Sequence, residues 1–527
     1  MLSNIYSAGL YGIDGFLVTV EVDSREQLPA FELVGLPDMA VKEAKERVRT
    51  ACENSGFPFP ELTYMINLAP ADRRKEGTVF DVAILTGILR CAGRIDPTVS
   101  LSDCCFLGEL SLSGELRPVR GVLCMCVAAR DAGLKRVFVP YDNAAEAAAV
   151  HGIDVYAVRS MGELIAHLNG SATLPVTVPP DFDEAIGQLS LPDLSDVRGQ
   201  AMAKRALEIA AAGAHNILLI GPPGTGKSML AKRLPSILPP LTFEEALQTT
   251  KVHSVTGLLP PGESLLVRRP FRSPHHTMSA VSLVGGGINP MPGEISLSHN
   301  GVLFMDELPE FPKQVTDGLR QPLEDGQVTI TRASGRATFP CSFMLVAAMN
   351  PCRCGYFGHP TRPCTFRRGD VARYLSNVSG PMLDRMDIQI ELPSLTYEEI
   401  STHDPDAETS ATVRERVIRA RAFAASRMAA VDAALGEEPD GGKARVNRPR
   451  CNAQLDPAGI HRYCQMDADA MQLLKDAYDT LGLSARGHDR ILRVARTIAD
   501  LDESPIIAAH HIAEAIQLRS LDRKYWS

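Results

Sequence analysis

A glycine-rich segment has the residue types and spacing needed to hold a chain of phosphates. It fits the pattern G-x-x-x-x-G-K-S, and its residues are Gly221, Pro222, Pro223, Gly224, Thr225, Gly226, Lys227 and Ser228. Apolar residues 216–220 precede it and a helical pattern follows, which is the context that makes the spacing informative. Backbone N–H groups can surround phosphate oxygens, Lys227 can reach the β- and γ-phosphates, and the Ser228 hydroxyl can ligate Mg²⁺. We therefore predict a site for ATP with Mg²⁺.

Polar side chains follow two further apolar runs. Asp306 and Glu307 come after residues 302–305, and Asn350 comes shortly after residues 343–348. After a phosphate loop, such an acidic pair can hold Mg²⁺ through Asp306 and polarise the attacking water through Glu307. Asn350 can orient that water against the γ-phosphate. Each residue also has a plainer interpretation, either as an acidic strand end or as an Asn that caps a loop before Pro351.

The composition limits the classes of protein to which the chain can belong. Its 527 residues correspond to about three domains. A net charge of −9 argues against a protein that coats nucleic acid with its whole surface, although local basic patches are allowed. The chain has no apolar run of about 18 residues and no secretory signal pattern, so we expect a cytoplasmic protein without membrane contact. Its twelve cysteines should then be reduced.

Alternating helix and strand patterns suggest a multi-domain α/β protein. We predict an α/β domain at 1–167, a linker at 168–192, a P-loop α/β core at 193–400 and a helical domain at 401–527. In the first domain the periodicity predicts strands at 15–23, 63–70 and 137–140, and helices at 41–53, 81–91 and 124–133. In the last domain it predicts helices at 411–430, 467–480, 484–500 and 508–519.

The three strand ends together resemble an AAA+ ATPase, and further segments extend the resemblance. DVRGQ (196–200) resembles the segment that lines the adenine pocket, and SGPMLDRMD (379–387) resembles the segment that presents an arginine finger to the next subunit. That finger would be Arg385. LSARGHDRILRVARTIADL (483–501) resembles the sensor-2 helix, which implies that Arg486, or as second choice Arg490, touches the γ-phosphate of its own subunit. The C-terminal helical domain would then be the lid.

Nearly the whole chain resembles the magnesium-chelatase-like ComM/YifB family. The resemblance is carried by RPFRSPHHT (269–277), PGEISLSHNGVLFMDELPEF (292–311) and NPCRCGYFG (350–358), among other segments. It implies an ATP-driven homo-hexamer that acts on single-stranded and branched DNA and promotes branch migration in natural transformation, together with recombination proteins. Two alternatives stay open, namely a metal-insertion ATPase subunit and an ATPase that remodels proteins without a DNA role.

The N-terminal domain resembles the proteolytic domain of Lon. The similar segments are residues 66–89 and 107–122. Lon-type proteolysis needs a serine nucleophile and a lysine base. The serine position falls near Val79 and the lysine position near Leu123, and neither side chain can do that chemistry. We therefore expect a Lon-like scaffold or DNA-contacting domain without protease activity.

Local basic and glycine-rich segments are candidates for DNA contact. Residues 328–340 predict a hairpin with Arg332 and Arg336 near its tip, and the resemblance implies that it points toward the channel of a ring. Residues 280–289 resemble a mobile pore loop, with Gly285, Gly286 and Gly287 at its centre. Other basic segments lie at 268–272, 353–373 and 443–450. Arginines there can bind phosphates without reading sequence, but ordinary solvated loops would have the same composition.

A cysteine cluster follows Asn350. Cys352, Cys354 and Cys364 have a spacing that allows three thiolates to bind zinc, and structural zinc sites need four ligands. Phe366 stands where the family usually has a fourth cysteine, so His359 is the candidate for the fourth ligand. The alternative is a loop with three reduced cysteines and no metal.

Overall fold

The computed structural model describes residues 1–527 except 180, 261, 288, 333–334, 402–406, 435–448, 520 and 527. Its first part is a seven-stranded mixed sheet in the order β3-β4-β2-β1-β5-β8-β9, with a separate β6–β7 pair. The strands are β1 (Leu2–Tyr11), β2 (Asp14–Arg25), β3 (Ala30–Val34), β4 (Thr63–Ala69), β5 (Cys104–Phe106), β6 (Glu109–Leu110), β7 (Leu116–Arg117), β8 (Arg136–Pro140) and β9 (Asp154–Val158). The helices are α1 (Met39–Lys42), α2 (Ala44–Asn54), α3 (Asp81–Cys91), α4 (Val122–Asp131), α5 (Ala144–Ala148), α6 (Met161–Leu168) and α7 (Phe182–Gly187).

The central part is built on a five-stranded parallel sheet in the order β11-β14-β17-β10-β18. The strands of this part are β10 (Ile217–Ile220), β11 (Phe271–Arg272), β12 (Gly285–Gly286), β13 (Met291–Pro292), β14 (Val302–Met305), β15 (Gln327–Arg332), β16 (Gly335–Pro340), β17 (Met344–Met349) and β18 (Ile388–Glu391). Its helices are α8 (Ala201–Gly213), α9 (Lys227–Ile237), α10 (Phe243–Thr256), α11 (Ala280–Val284), α12 (Glu294–Leu297), α13 (Lys313–Gly318), α14 (Arg320–Asp325), α15 (Arg368–Leu375), α16 (Gly380–Leu383) and α17 (Tyr397–Ser401).

The three inner strands β10, β14 and β17 are buried along their whole length. Such continuous apolar strands are typical of a parallel sheet that is covered on both faces. Because parallel strands all end at the same edge, the polar residues that follow β10, β14 and β17 come together there.

The last part is helical and packs on the central sheet. Its helices are α18 (Ser410–Ala434), α19 (Pro457–Tyr463), α20 (Ala468–Leu481), α21 (Ala485–Leu501), α22 (Ala509–Gln517) and α23 (Leu521–Trp526). α18 and α21 pack on α8, where Arg421 donates to the Ala211 carbonyl at 2.6 Å and Thr497 lies 2.7 Å from a ring nitrogen of His215. The three predicted N-terminal strands and the predicted helices of both terminal domains are confirmed, except that the helix predicted over 41–53 is divided at Glu43 into α1 and α2.

The N-terminal domain contacts the central part through α4, α5 and α10. Thr242 and Glu245 form a capping box at the start of α10, and Gly257 ends that helix with a φ of 70°. On the facing domain the buried Glu146 accepts hydrogen bonds from the Ser254 hydroxyl and, at 2.9 Å, from the Leu123 N–H. This buried polar contact ties the two parts together. No helix in the described part of the chain is long and apolar enough to cross a membrane.

Candidate ATP-binding site

The glycine-rich segment forms a loop between β10 and α9. Gly224 and Gly226 have φ angles of 82° and 89°, which suit glycine and turn the backbone of the loop. Lys227 is the first residue of α9, and its Nζ donates to the carbonyls of Gly221 at 2.7 Å and Pro222 at 2.8 Å. The ammonium group is therefore held under the loop, where a phosphate would replace these carbonyl contacts.

The side chain of Lys227 is only 9% exposed. Burial lowers the pKa of its ammonium group from 10.5 to about 8, although the nearby Asp306 carboxylate opposes this shift. A buried cation without a full countercharge favours an arriving anion. The site therefore fits a polyphosphate electrostatically as well as in shape.

Lys227 and Ser228 also contact the polar residues that follow β17 and β14. Its Nζ donates to Oδ1 of Asn350, just beyond β17, at 3.1 Å. The Ser228 hydroxyl donates to Oδ2 of Asp306, just beyond β14, at 2.7 Å. A hydroxyl beside a carboxylate is the oxygen donor set that Mg²⁺ prefers. The structure thus brings Lys227, Ser228, Asp306 and Asn350 into one cluster whose residues fit Mg²⁺ and ATP.

Glu307 adopts an unusual backbone conformation beside this cluster. Its φ is 55°, its N–H donates to Oδ1 of Asp306 at 3.0 Å, and about half of its side chain is exposed. The Nδ1 atom of His276 lies 3.4 Å from Oε2 of Glu307. The carboxylate is thus available to a water molecule and is oriented by a histidine that the sequence analysis did not assign to the site. The paired histidines in RPFRSPHHT are the signal that could have found it.

The segment that resembles the adenine-pocket entry does contact the phosphate loop. Nε2 of Gln200 donates to the Thr225 carbonyl at 3.3 Å and to the Pro393 carbonyl at 3.0 Å. Gln200 has a φ of 54° and lies directly before α8. This residue links the entry segment, the phosphate loop and the end of β18.

Arg385 lies at the opposite edge of the sheet from Lys227. Asn216, before β10, donates through Nδ2 to the Arg385 carbonyl at 3.0 Å, whereas the phosphate loop begins after β10 ends. A strand of four residues separates these two edges by about 13 Å. The Arg385 guanidinium donates to Glu324 at 2.5 Å and to the Pro381 carbonyl at 2.8 Å. The Arg385 guanidinium therefore does not reach the phosphate loop of its own chain.

Arg486 requires a correction. We expected it to touch the γ-phosphate of its own subunit, with Arg490 as second choice. Both arginines instead bind Asp384, at 3.4 Å and 3.3 Å, on the same edge of the sheet as Arg385. The reason is the packing of α21 at the far end of α8, where the Thr497 hydroxyl lies 2.7 Å from Nε2 of His215, just before β10 begins. The in cis role of Arg486 is therefore wrong for this conformation.

A cavity of 470 Å³ opens at this second edge. It is lined by seven arginines, namely Arg269, Arg385, Arg421, Arg450, Arg486, Arg490 and Arg493. Several acidic residues partly neutralise them, namely Glu245, Glu324, Asp384, Asp387 and Asp489. The central sheet therefore has the phosphate loop at one edge and an arginine-rich cavity at the other.

The two pore candidates contact each other. β15 and β16 form the predicted hairpin, with Arg332 opposite Gly335, and Arg332 donates through Nε to the Gly287 carbonyl at 3.2 Å. Residues 333–334 of the turn lie outside the described residues. Arg332 and Arg336 are exposed. The predicted pore loop is more regular than expected, because its first residues form α11 and Gly285 and Gly286 form the strand β12.

The β15–β16 hairpin also contacts the N-terminal domain. A Cβ atom at Gly335 would lie 2.1 Å from the hydroxyl of Tyr11, so the two elements are in close contact. Among the other basic segments, Arg269 donates to the Pro239 and Asn300 carbonyls and Arg272 pairs with Glu294. These two arginines are structural. In segment 443–450, residues 443–448 lie outside the described residues.

The three cysteines lie together, but His359 does not join them. The Sγ atoms are 3.2 Å apart for Cys352 and Cys354, 3.6 Å for Cys352 and Cys364, and 3.5 Å for Cys354 and Cys364. Nε2 of His359 lies 3.1 Å from Oγ of Ser394, and its Nδ1 accepts a backbone N–H at 3.0 Å. Both ring nitrogens are engaged by other groups, so the prediction of His359 as the fourth ligand is wrong.

The pKa values of Cys352 and Cys354 are shifted in opposite directions. Burial raises the pKa of Cys352 to about 11. Burial also acts to raise the pKa of Cys354, but hydrogen bonds from the backbone N–H groups of Tyr356 and Thr365 and from the neighbouring thiols outweigh it and lower that pKa to about 6.

The N-terminal positions discussed for proteolysis are apolar and buried. Val79 is 7% exposed and Leu123 is fully buried in the core of the domain. Lys75 is also fully buried and donates to the carbonyls of Pro70 and, at 2.8 Å, of Arg73. Its ammonium group is therefore engaged inside the domain and is not exposed to phosphates.

Comparisons with known proteins agree with this arrangement. Three family models match, described as magnesium chelatase subunit ChlI over residues 193–400, subunit ChlI of Mg-chelatase over 20–143, and magnesium chelatase subunit ChlI C-terminal over 407–519. Competence protein ComM of Haemophilus influenzae is 41% identical over 99% of this chain and 98% of its own length. YifB of Escherichia coli is 40% identical over 99% and 98%.

The similarity to Lon is only partial. Lon protease 2 of Bacillus subtilis is 30% identical over 127 residues, which are 24% of this chain and 22% of that protease. The central parallel sheet with its phosphate loop and the matching family models identify an ATPase of the AAA+ type that uses ATP and Mg²⁺. With relatives matched from end to end, the chain belongs to the ComM/YifB family of magnesium-chelatase-like proteins.

Proposed function

We propose that this protein is an ATP-driven, hexameric motor that acts on DNA and promotes branch migration during recombination in natural transformation. The observation that supports the proposal is that the phosphate-loop cluster and an arginine-lined cavity lie at opposite edges of one sheet. Lys227 and its neighbours lie at one edge and the arginine cavity lies at the other. Copies arranged head to tail would bring each phosphate loop against the arginines of the next copy, and such contacts form a closed ring when the rotation between successive copies closes.

Within one copy the residues at the first edge would carry out hydrolysis. Lys227 binds the β- and γ-phosphates, and the oxygens of Ser228 and Asp306 hold Mg²⁺, which neutralises charge that develops on the phosphates. Glu307 accepts a proton from the attacking water, and Asn350 orients that water. The Glu307 backbone is held by the hydrogen bond that its N–H donates to Asp306, and its carboxylate lies beside His276.

Arg385 would act on the neighbouring copy. A guanidinium that meets the γ-phosphate stabilises the charge of the transition state in trans. In the single chain this guanidinium is held by Glu324. Ring assembly would therefore have to exchange the Glu324 carboxylate for the neighbour's phosphate, which makes hydrolysis depend on assembly. Arg486 would join Arg385 in trans, because both lie at the second edge.

The DNA role is supported by the hairpin and by one relative. Arg332 and Arg336 are exposed and repeat once per copy, so a ring would surround its channel with arginines if the hairpins face inward. Gly287 contacts Arg332, so a nucleotide-driven shift of one element would move the other. The relative named competence protein ComM is matched over 98% of its length, which favours a role in competence over metal insertion or protein remodelling. Recombination proteins would then be partners.

The test uses purified protein with labelled four-way DNA junctions. We expect the parent chain to resolve junctions only with ATP and Mg²⁺, and Lys227→Ala and Glu307→Gln to bind junctions without resolving them. Lys232→Ala is the matched control, because Lys232 is an exposed lysine on the same helix. A parent protein that hydrolyses ATP but neither binds DNA nor responds to it in its ATPase rate would refute the DNA role and keep the ATPase.

We also propose that the N-terminal domain is a scaffold or DNA contact without peptidase activity. Val79 and Leu123 are buried apolar side chains that can supply neither a nucleophile nor a base. Incubation with casein and ATP should release no peptides. Peptide release that persists in Lys227→Ala, or that a serine-directed inhibitor blocks, would contradict this proposal.

A further inference from the structure

The loop that follows β17 holds three sulfur atoms at the corners of a small triangle with edges of 3.2, 3.6 and 3.5 Å. The sulfurs belong to Cys352, Cys354 and Cys364. A tetrahedral metal ion with metal–sulfur bonds of about 2.3 Å needs sulfurs about 3.8 Å apart. The observed edges are slightly shorter than this, so three thiolates need only small outward shifts to accept one ion at their centre.

Backbone N–H groups are already directed at the sulfur atoms. Cys352 Sγ accepts the Phe357 N–H at 3.3 Å, and Cys354 Sγ accepts hydrogen bonds from the backbone of Tyr356 and Thr365. Such hydrogen bonds stabilise thiolate charge and fix the direction of the ligands around a metal ion. Cys352 is buried and the other two are partly exposed, so an ion has an inner anchor and an entry path.

A fourth protein ligand is absent among the described residues. The only His, Cys, Asp or Glu side chains grouped at this point in the described part of the chain are the three cysteines. His359 is turned to Ser394. We propose that Cys352, Cys354 and Cys364 bind one thiophilic metal ion, Zn²⁺ foremost, and leave its fourth position open to water or to an external ligand.

The cluster also contacts the phosphate loop directly. A Cβ atom at Gly355, between the second and third thiols, would lie 2.3 Å from Cδ of Pro223, so the Gly355 backbone touches that proline. Asn350, which accepts from Lys227, is two residues before Cys352. An ion that binds the three thiolates would therefore fix the position of Asn350 and the wall of the phosphate loop. This consequence, unlike metal binding itself, rests on the proposed ATPase function.

Metal binding is tested first and without nucleotide. The full chain is purified in reducing agent without added metal, and its metal content is measured by mass spectrometry; the metal-free protein is then titrated with Zn²⁺ and Co²⁺. We expect about one equivalent per chain and a Co²⁺ spectrum with thiolate charge-transfer bands. Protein that is metal-free as isolated and shows no such spectrum with Co²⁺ would overturn the proposal.

Variants identify the ligands. Cys354→Ser and Cys364→Ser alter the two partly exposed thiols and should weaken Co²⁺ binding by more than about 100-fold, which exceeds the usual effect of residues around the ligands. Cys91→Ser is the matched control, because its sulfur hydrogen-bonds the Met1 and Val22 carbonyls and a hydroxyl can do the same. His359→Ala should bind metal like the parent. Unchanged binding in both Cys354→Ser and Cys364→Ser, with circular dichroism showing folded protein, would overturn the proposal.

The coupling to the nucleotide is measured separately. Removal of the ion should raise the Kd for an ATP analogue several-fold, and restored Zn²⁺ should reverse this. If the ion binds at the cysteines but the Kd does not change, the site stands and only its coupling to the phosphate loop fails. If neither metal-loaded nor metal-free protein binds nucleotide, the proposed ATPase fails and the metal site is unaffected.

Discussion

Nucleotide affinity should fall when the pH rises above about 8, because of Lys227. Burial lowers the pKa of this lysine from 10.5 to about 8 in the nucleotide-free protein. The difference corresponds to a net destabilisation of the charged lysine by about 3 kcal/mol, because desolvation outweighs the attraction of Asp306. A bound triphosphate supplies the missing countercharge and restores the ordinary pKa or exceeds it. Above pH 8 the protein must therefore take up a proton before it can bind.

The direction of this pH dependence follows from the linkage between proton binding and nucleotide binding. The complex binds more protons than the free protein between about pH 8 and 10, so the Kd for a non-hydrolysable ATP analogue should be flat below pH 8 and rise about tenfold per pH unit above it. Calorimetry in buffers of different ionisation enthalpy, from about pH 7 to 9.5, measures both the Kd and the proton uptake. Lys227→Arg keeps its charge throughout and should show no slope. A flat profile for the parent, or an equal slope for the arginine variant, would refute the reasoning.

Three further predictions concern the contacts around the site. Gly355→Ala, which forces a side chain into a φ of 84° and against the phosphate loop, should lower the free energy of unfolding in urea by about 2 kcal/mol and weaken nucleotide binding, whereas Gly369→Ala, with open space around it, should do neither. Arg385→Ala should lower kcat for ATP hydrolysis by about 10³-fold with little change in KM in steady-state assays. Mixing this variant with Lys227→Ala should restore part of the activity, since each variant keeps the half of the site that the other lacks. No recovery in mixed rings would contradict action in trans. Glu146→Ala should lower the free energy of unfolding by about 1–3 kcal/mol in the same urea assay, because it leaves buried donors at the domain contact unsatisfied. It should also expose the linker to limited proteolysis. Unchanged cleavage would show that this contact does not hold the domains together.

The first half of the ATP site could be predicted from the sequence because its rules are local. An apolar run, a glycine-rich loop and a helix place Lys227 and Ser228, and two more apolar runs place Asp306 and Asn350. Parallel strands then bring the four residues to one edge without further information. The hairpin at Arg332 and Arg336 was predictable for the same reason, since two alternating strands and a glycine suffice.

The remaining features depend on contacts between residues far apart in the chain. The helix that carries Arg486 was predicted, but its direction is set by packing against α8, which no local pattern encodes. His359 has a suitable spacing for a metal ligand, yet Ser394 engages its ring from another segment. The contact between His276 and Glu307 likewise joins two segments that are separate in sequence. Sequence spacing shows which groups are available, whereas tertiary packing determines which of them meet.

The arrangement of charges explains why a single copy should be a weak ATPase. The buried ammonium of Lys227 lacks its countercharge until a phosphate arrives, and Arg385 is neutralised by Glu324 in the same chain. A bound triphosphate supplies the countercharge of Lys227 and, in a ring, would also offer the neighbour's Arg385 a phosphate in place of Glu324. ATP binding and ring assembly should therefore stabilise each other, and the ring should form at lower protein concentration when ATP is present. Sedimentation of Glu307→Gln, which retains ATP, should show this shift, and Lys227→Ala should not. Equal assembly of the two variants with ATP would separate ring formation from nucleotide binding and contradict the coupling.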